Sequence, residues 1–242
     1  MGNILFLPEV DSTNEYLNNL IRREKCEEGA IVVAAYQTNG KGQIGNAWES
    51  ETGKNLTFSL LLYPTELEIS EQFSISKAVS LGIVDVLQKY TSDISIKWPN
   101  DIYWNDKKLG GILIENALTG KTITHCVVGI GLNVNQELFT SNAPNPISLK
   151  QITQKEYNLK ELLQDLRSAI FARYTQFLNH EESLYNDYFQ QLYRNKGYFL
   201  YEAEGQTFEA KIKCVKLSGH LVLESKDGQE KSFAFKEVRF VI

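Results

Sequence analysis

Pro99 stands in the string Lys97-Trp98-Pro99-Asn100-Asp101, straight after the β-branched run Ile94-Ser95-Ile96, and together they require a strand that ends in a turn. Proline pushes the residue before it out of the helical region, so Lys97 and Trp98 are read as the end of that strand. Asn100 and Asp101 turn the chain. Residues 102–104 and 109–115 read as two further strands, joined by the polar connection Asn105-Asp106-Lys107-Lys108. Lys108 then stands at a strand start beside Gly110-Gly111. Paired glycines weaken a strand and are tolerated where a backbone or a ligand approaches closely, so a lysine against that bare backbone is a candidate anion site. The competing reading is a solvated hairpin with a bulge at the glycines, and it is the one adopted for Lys107.

The chain has 242 residues, 43% hydrophobic and 23% charged, enough for one substantial domain and a small appendage. A net charge of -5 argues against a dedicated nucleic-acid binder, whose footprint is normally basic. Cys26, Cys126 and Cys214 lie far apart and suggest neither a disulfide framework nor a metal site. His125, His180 and His220 have no companion at metal-ligand spacing and are read as structural or surface residues. The N-terminal stretch lacks a basic region, and no apolar run approaches the ~20 residues of a spanning helix. A soluble cytoplasmic protein without a membrane or nucleic-acid partner is expected.

Residues 4–7 read as a strand ended by Pro8. Ser12 with Glu15 forms a capping-box pattern that opens a helix with Tyr16, Leu17, Leu20 and Ile21 on one face. Capping explains Ser12, and a helix N-terminus also suits a small polar ligand; both readings stay open. Residues 30–36 read as a buried strand, followed by Gln37 and the glycine-rich run Gly40-Lys41-Gly42-Gln43-Ile44-Gly45 up to Trp48. The run fits G-x-G-x-x-G, but it leads into a strand at residues 56–62 where a dinucleotide fingerprint opens a helix, and it is no Walker A loop. It is therefore read as a long loop with one cation, mobile until a ligand orders it.

Residues 70–90 read as a helix. Residues 122–135 read as a strand, nearly continuous in apolar residues but for Gly129, Gly131 and Asn133; the asparagine is either a satisfied core residue or a nucleotide contact. Residues 136–157, including 142–146, read as loop with a short turn at 148–152. Residues 158–178 carry a helical stripe, and 180–193 a second helix. From Gly197 short alternating strands with turns at Glu204-Gly205, Ser218-Gly219 and Asp227-Gly228 suggest a small β-barrel.

Lys97-Trp98-Pro99-Asn100-Asp101 followed by Lys108-Leu-Gly-Gly-Ile-Leu-Ile-Glu115, with Ser12-Thr13-Asn14 and the glycine loop upstream, closely resembles the catalytic domain of the biotin protein ligases. The resemblance implies an α+β fold: a mixed, mainly antiparallel β-sheet with packed helices of the class II synthetase-like kind, then an SH3-like β-barrel, with domains at residues 1–194 and 195–242. It implies that biotin and ATP form biotinyl-5'-AMP and that biotin passes to a lysine of a biotin carboxyl carrier protein domain. Biotin contacts are implied for Ser12, Thr13, Asn14, Gln37, Gly40, Lys41, Gly42, Gln43, Trp48, Lys108, Gly110 and Gly111. ATP contacts are implied for Lys41, Lys97, Asn100, Asp101, Lys108 and Asn133, the family's Gly-x-Gly-x-Asn motif favouring the nucleotide for Asn133. Lys108, Lys41 and Asp101 are the catalytic candidates. Mg²⁺ is expected with ATP, without dedicated ligands beyond Asp101.

Two positions depart from the family pattern. Gln43 replaces the loop's usual second arginine, which bears on adenylate retention, and Lys236-Glu237-Val238 replaces Gly-Glu-Val. The Ser-Thr-Asn motif lies so near Met1 that no helix-turn-helix domain is expected before it. A monomer or weak homodimer is expected. A lipoate–protein ligase, related in fold and chemistry, and a non-catalytic module that binds protein or RNA through the barrel are the alternatives.

Overall fold

The computed structural model describes residues 2–43, 45–65, 67–140, 144–181 and 183–242. Ile44 of the glycine loop, residues 141–143 of the expected 136–157 loop and Glu182 of the expected second helix lie outside them. The fold class is as expected. β1 (Ile4–Val10), β2 (Ile31–Gln37), β3 (Leu56–Leu62), β4 (Ile94–Lys97), β5 (Asp101–Trp104), β6 (Lys107–Thr119) and β7 (Thr122–Leu132) form a sheet in the order β1-β2-β3-β7-β6-β5-β4. β1 pairs parallel with β2 and the remaining neighbours pair antiparallel.

The two faces of this sheet differ. Phe58, Ile130 and Ile112 stand side by side in register on one face and join a continuous core with α2 (Phe73–Leu87) and α4 (Leu159–Leu178). Each such fully buried side chain contributes roughly 1.5–3 kcal/mol. α2 has almost no exposed face, because it lies between the sheet and α4; a side chain on Gly82 would come within 2.6 Å of the Ile170 backbone. On the other face α1 (Thr13–Arg23) buries Leu17 against Val32, Leu61 and Val127. Beyond the N-terminus of α1 this second face carries small and polar residues, and there the floor of a cavity is left open.

Several boundaries differ from the expectation. Pro8 does not end β1: it sits inside an edge strand, where its missing N–H breaks no ladder bond. The helix expected over 70–90 is a 3₁₀ turn (Ile69–Glu71) followed by the shorter α2. Trp98 lies in the turn after β4 rather than in the strand, with a cis peptide to Pro99. The short turn at 148–152 is α3 (Leu149–Thr153), opened by a full capping box between Ser148 and Gln151. The second C-terminal helix shrinks to α5 (Ser183–Gln190).

β8 (Phe199–Ala203), β9 (Gln206–Val215), β10 (Leu221–Ser225), β11 (Glu230–Phe233) and β12 (Arg239–Phe240) form a second, antiparallel sheet in the order β11-β10-β9-β8-β12. Glu204 and Gly205 both take positive φ (52° and 74°), as a two-residue hairpin requires. This sheet docks on the central motif. Trp98 Nε1 donates to the Gly219 carbonyl at 2.8 Å, and the buried Lys77 ammonium donates to the Val215 carbonyl at 3.1 Å. Among the described residues no helix is long and apolar enough to cross a membrane.

Candidate active site

The strand register builds the cavity floor. Thr57, Gly131, Gly111, Asp101 and Lys97 stand in one row across β3, β7, β6, β5 and β4, all on the α1 face. Strict alternation along β6 would then turn Lys108 toward the core. A bulge between Ile102/Tyr103 and the β6 strand prevents this: Ile102 pairs with Gly110 but Tyr103 with Lys108, so Leu109 is the extra residue. Leu109 goes into the core, and Lys108 is re-aimed onto the cavity face, as bulges do. Its ammonium meets Asp101 Oδ1 at 2.7 Å and lies over the bare backbone of Gly111, 3.5 Å from where a Cβ would be.

The cavity holds about 400 Å³, within the range of small-molecule sites. At one end, α1 begins at Ser12, which is extended (φ -152°) and makes no side-chain cap bond. The expected capping box therefore does not form. Glu15 turns outward to Lys41 at 3.0 Å, and Gln37 Oε1 takes the first helical N–H instead, that of Thr13, at 2.8 Å. Thr13 Oγ1 donates to the same oxygen at 3.0 Å. Ser59 Oγ lies 2.7 Å from Thr13 Oγ1 and 2.6 Å from Asn14 Oδ1, and Asn14 Nδ2 donates to Glu115 at 3.2 Å and to the Leu113 carbonyl at 3.3 Å. This buried chain of polar groups is fixed before any ligand arrives. A Cβ on Gly129 would collide with Asn14, and one on Gly131 with the Trp48 ring, so both glycines are required by close packing.

At the other end the lining is cationic. Lys41, Lys97, Lys108, Lys236 and Arg239 face the cavity against the carboxylate of Asp101, in a chain of net charge -5. Burial lowers the Lys97 ammonium below its ordinary range, with Asp101 opposing and Lys108 and Arg194 adding to the shift. The hydrogen bond to Glu15 raises Lys41. Lys236, Val238, Arg239 and Phe240 come from the second sheet and its turn, which closes this end. Such a cavity joins a narrow, neutral, hydrogen-bonding slot to a region that attracts phosphate or carboxylate.

The family model for biotin/lipoate A/B protein ligases matches residues 6–133. The chain belongs to that family. Over 138 residues it is 41% identical to the bifunctional ligase/repressor BirA of Escherichia coli, which covers 55% of this chain and 41% of that protein. Over 175 residues it is 32% identical to the human biotin–protein ligase, covering 69% of this chain and 23% of that protein. The chain thus spans less than half the length of these relatives. The biotin protein ligase from Aquifex aeolicus in complex with biotin and ATP superposes with a TM-score of 0.81 at 27% identity, covering 99% of both chains.

Of the residues singled out in this biotin/lipoate ligase family member, Ser12, Thr13, Asn14, Gln37, Lys41, Gly42, Gln43, Trp48, Lys97, Asn100, Asp101, Lys108 and Gly111 line the cavity. Gly40, Gly110 and Asn133 do not. Gly40 packs under the Trp48 carbonyl, Gly110 under the Gly131 carbonyl, and Asn133 Nδ2 donates to the Ile147 carbonyl, holding the segment after β7. Asn100 Nδ2 is likewise engaged, by the Ile112 carbonyl at 2.7 Å. The two arms of the glycine loop pair with each other, Lys41 bridged to Ala47 and Trp48 N–H bonded to the Gly40 carbonyl. Sequence reading missed Thr57, Ser59 and the residues of the second sheet. Thr57 and Ser59, polar in an otherwise apolar strand, were the available signal; for Arg239 and Phe240 there was none.

Proposed function

We propose that the chain activates biotin with ATP to biotinyl-5'-AMP and transfers the biotin to a specific lysine of a biotin carboxyl carrier protein domain. The observation that carries this reading is the joined cavity: a prebuilt neutral slot at Ser12, Thr13, Asn14 and Gln37, backed by the buried Ser59, that opens over glycine floor onto a cluster of cations. A ureido ring fits the first, and a carboxylate meeting a triphosphate needs the second. Residues 1–194 form the catalytic unit in this reading, and residues 195–242 complete its phosphate end.

In the first step a biotin carboxylate oxygen attacks the α-phosphorus and pyrophosphate leaves. Two anions meet, so preorganised positive charge lowers the barrier most. Lys108 lies beside Gly111 where the two would join, Lys97 addresses the phosphate chain, and Lys41 lies on the loop above. A Mg²⁺ ion accompanying ATP would supply further screening of the phosphate charge. Among the described residues no three carboxylate, histidine or cysteine ligands converge on one point, so Asp101 is the carboxylate within reach. In the second step the carrier lysine amine attacks the acyl carbon and AMP leaves. Free lysine titrates near ~10.4, so the amine must lose a proton on the way. Asp101 takes that proton once Lys108 turns from it to the phosphate.

Pyrophosphate release from ATP and Mg²⁺, measured with biotin or with lipoate, tests the reading. Release that depends on biotin supports it. Release with lipoate alone, or with neither acid, overturns it.

A further inference from the structure

The Lys97 ammonium lies 4.9 Å from the ring centroid of Tyr103 on β5 and 5.3 Å from that of Phe240 on β12. Each main element of the molecule therefore gives it one aromatic face. Among the described residues Lys97 makes no ion pair, although Asp101 stands opposite it in the hairpin; Asp101 is engaged by Lys108. A ring face attracts a cation through its quadrupole and leaves the N–H donors unused, whereas a carboxylate would consume both charge and donors. Phe240 has little freedom to swing away. It is buried, with Tyr201 at 5.1 Å and Tyr193 at 5.9 Å between ring centroids, and its backbone pairs with Tyr201 in β8. Lys97 and Phe240 both line the cavity.

We propose that Phe240 is a positioning residue for ATP: its ring holds the unpaired Lys97 ammonium toward the phosphates, so the C-terminal sheet takes part in nucleotide binding through Lys97. This rests on the reading of the cavity as an ATP site. The ring also bears on protonation. Asp101 on β5 favours the charged ammonium, Lys108 on β6 and Arg194 before β8 oppose it, and Lys236 and Arg239 line the same space. Leucine at position 240 keeps water out but removes the quadrupole. The ammonium then loses its proton at lower pH, and the alkaline fall of kcat/KM for ATP moves down with it.

The experiment is a double-mutant cycle on biotin-dependent pyrophosphate exchange, with F240L, K97Q and the pair, and with F240Y as the conservative variant. F240L is expected to raise KM for ATP about tenfold, the scale of a desolvated cation–π contact, and to leave KM for biotin unchanged. F240Y should restore KM for ATP. In the K97Q background F240L should change KM for ATP less than about twofold, since the contact it removes is already gone. Equal effects of F240L in both backgrounds, equal effects on ATP and biotin, or an unmoved alkaline limb would overturn the proposal. F240M carries the same cycle if F240L does not fold. A wild type without biotin-dependent exchange overturns the functional reading, and this proposal with it; an active wild type with additive variants overturns the proposal alone.

Discussion

The two ends of the cavity are built on opposite principles. At the α1 end Thr13, Asn14, Gln37 and Ser59 hold one another through short hydrogen bonds inside the sheet face, and every group has its geometry set by a neighbour. At the cationic end long side chains stand on a glycine floor, partly exposed, with Lys41 and Arg239 occupied by Glu15 and Glu202. The neutral end discriminates by shape and by the cost of leaving buried polar groups unmatched. The cationic end attracts by charge, which acts over distance and tolerates movement. Substitutions at the first should therefore disturb stability and acid binding together, and substitutions at the second should disturb rate while leaving the fold intact.

Lys108→Ala gives the largest expected effect and the sharpest separation. Removing one preorganised charge contact costs on the order of 10²–10³ in rate, while the partly buried pair with Asp101, its side chains 29% and 19% exposed, contributes on the order of 1 kcal/mol to stability. Pyrophosphate release and the thermal midpoint, measured side by side, check this; a large fall in midpoint would erase the contrast between the ends. Gly129→Ala should do the reverse. Its Cβ drives into Asn14, so about 1–3 kcal/mol of stability and much of the biotin affinity should go together. Calorimetric titration with biotin on a folded variant reads the second part, and unchanged affinity would show that the slot is not the acid site.

Ser59→Ala removes the hydroxyl that Asn14 Oδ1 and Thr13 Oγ1 share, at a cost of about 1–3 kcal/mol for the unsatisfied buried acceptor. Denaturant unfolding should register it, with a weaker biotin affinity; a neutral result would mean that water replaces the hydroxyl. The smallest change in stability belongs to Lys41→Ala, whose exposed pair with Glu15 contributes at most about 1 kcal/mol. Its expected signature is kinetic: biotinyl-adenylate escapes and labels lysines of a bystander protein, more than with Gln43→Ala, because a charged donor bonds about twice as strongly as a neutral amide. Equal labelling by both variants would place the loop's hold in its backbone and not in its charge.

Local order was largely legible in the chain. The hairpin between β5 and β6, the α1 face of Tyr16, Leu17, Leu20 and Ile21, the α4 stripe and the turns of the second sheet follow from periodicity and turn chemistry, which act between near neighbours in sequence, although the expected connection at 105–108 narrows to Asn105-Asp106 because Lys107 already pairs with Trp104. Most of the motif residues at the cavity were also readable, because glycine pairs and lone cations stand out from their surroundings. Misreadings arose where a distant group competed for a local bond. Ser12-x-x-Glu15 has the form of a capping box, yet Gln37 from β2 takes the helix N–H and Lys41 takes Glu15. Asn133 is a different case: the sequence left it as a satisfied core residue or a nucleotide contact, and its amide Nδ2 donates to the Ile147 carbonyl.

By itself the sequence determined the sheet-forming runs, the helix stripes, the glycine floor and the family motif, all of which depend on contacts between residues a few positions apart or on steric needs of single residues. Tertiary structure alone decided which way Lys108 faces, because alternation pointed it into the core and only pairing with β5 inserts Leu109 as a bulge. Only tertiary structure, too, brought Phe240 over Lys97, across 143 positions of chain, through the docking of the C-terminal sheet on Trp98. A hydrogen-bond register and a domain contact are set by partners far along the chain, and no window of local sequence contains both sides of either.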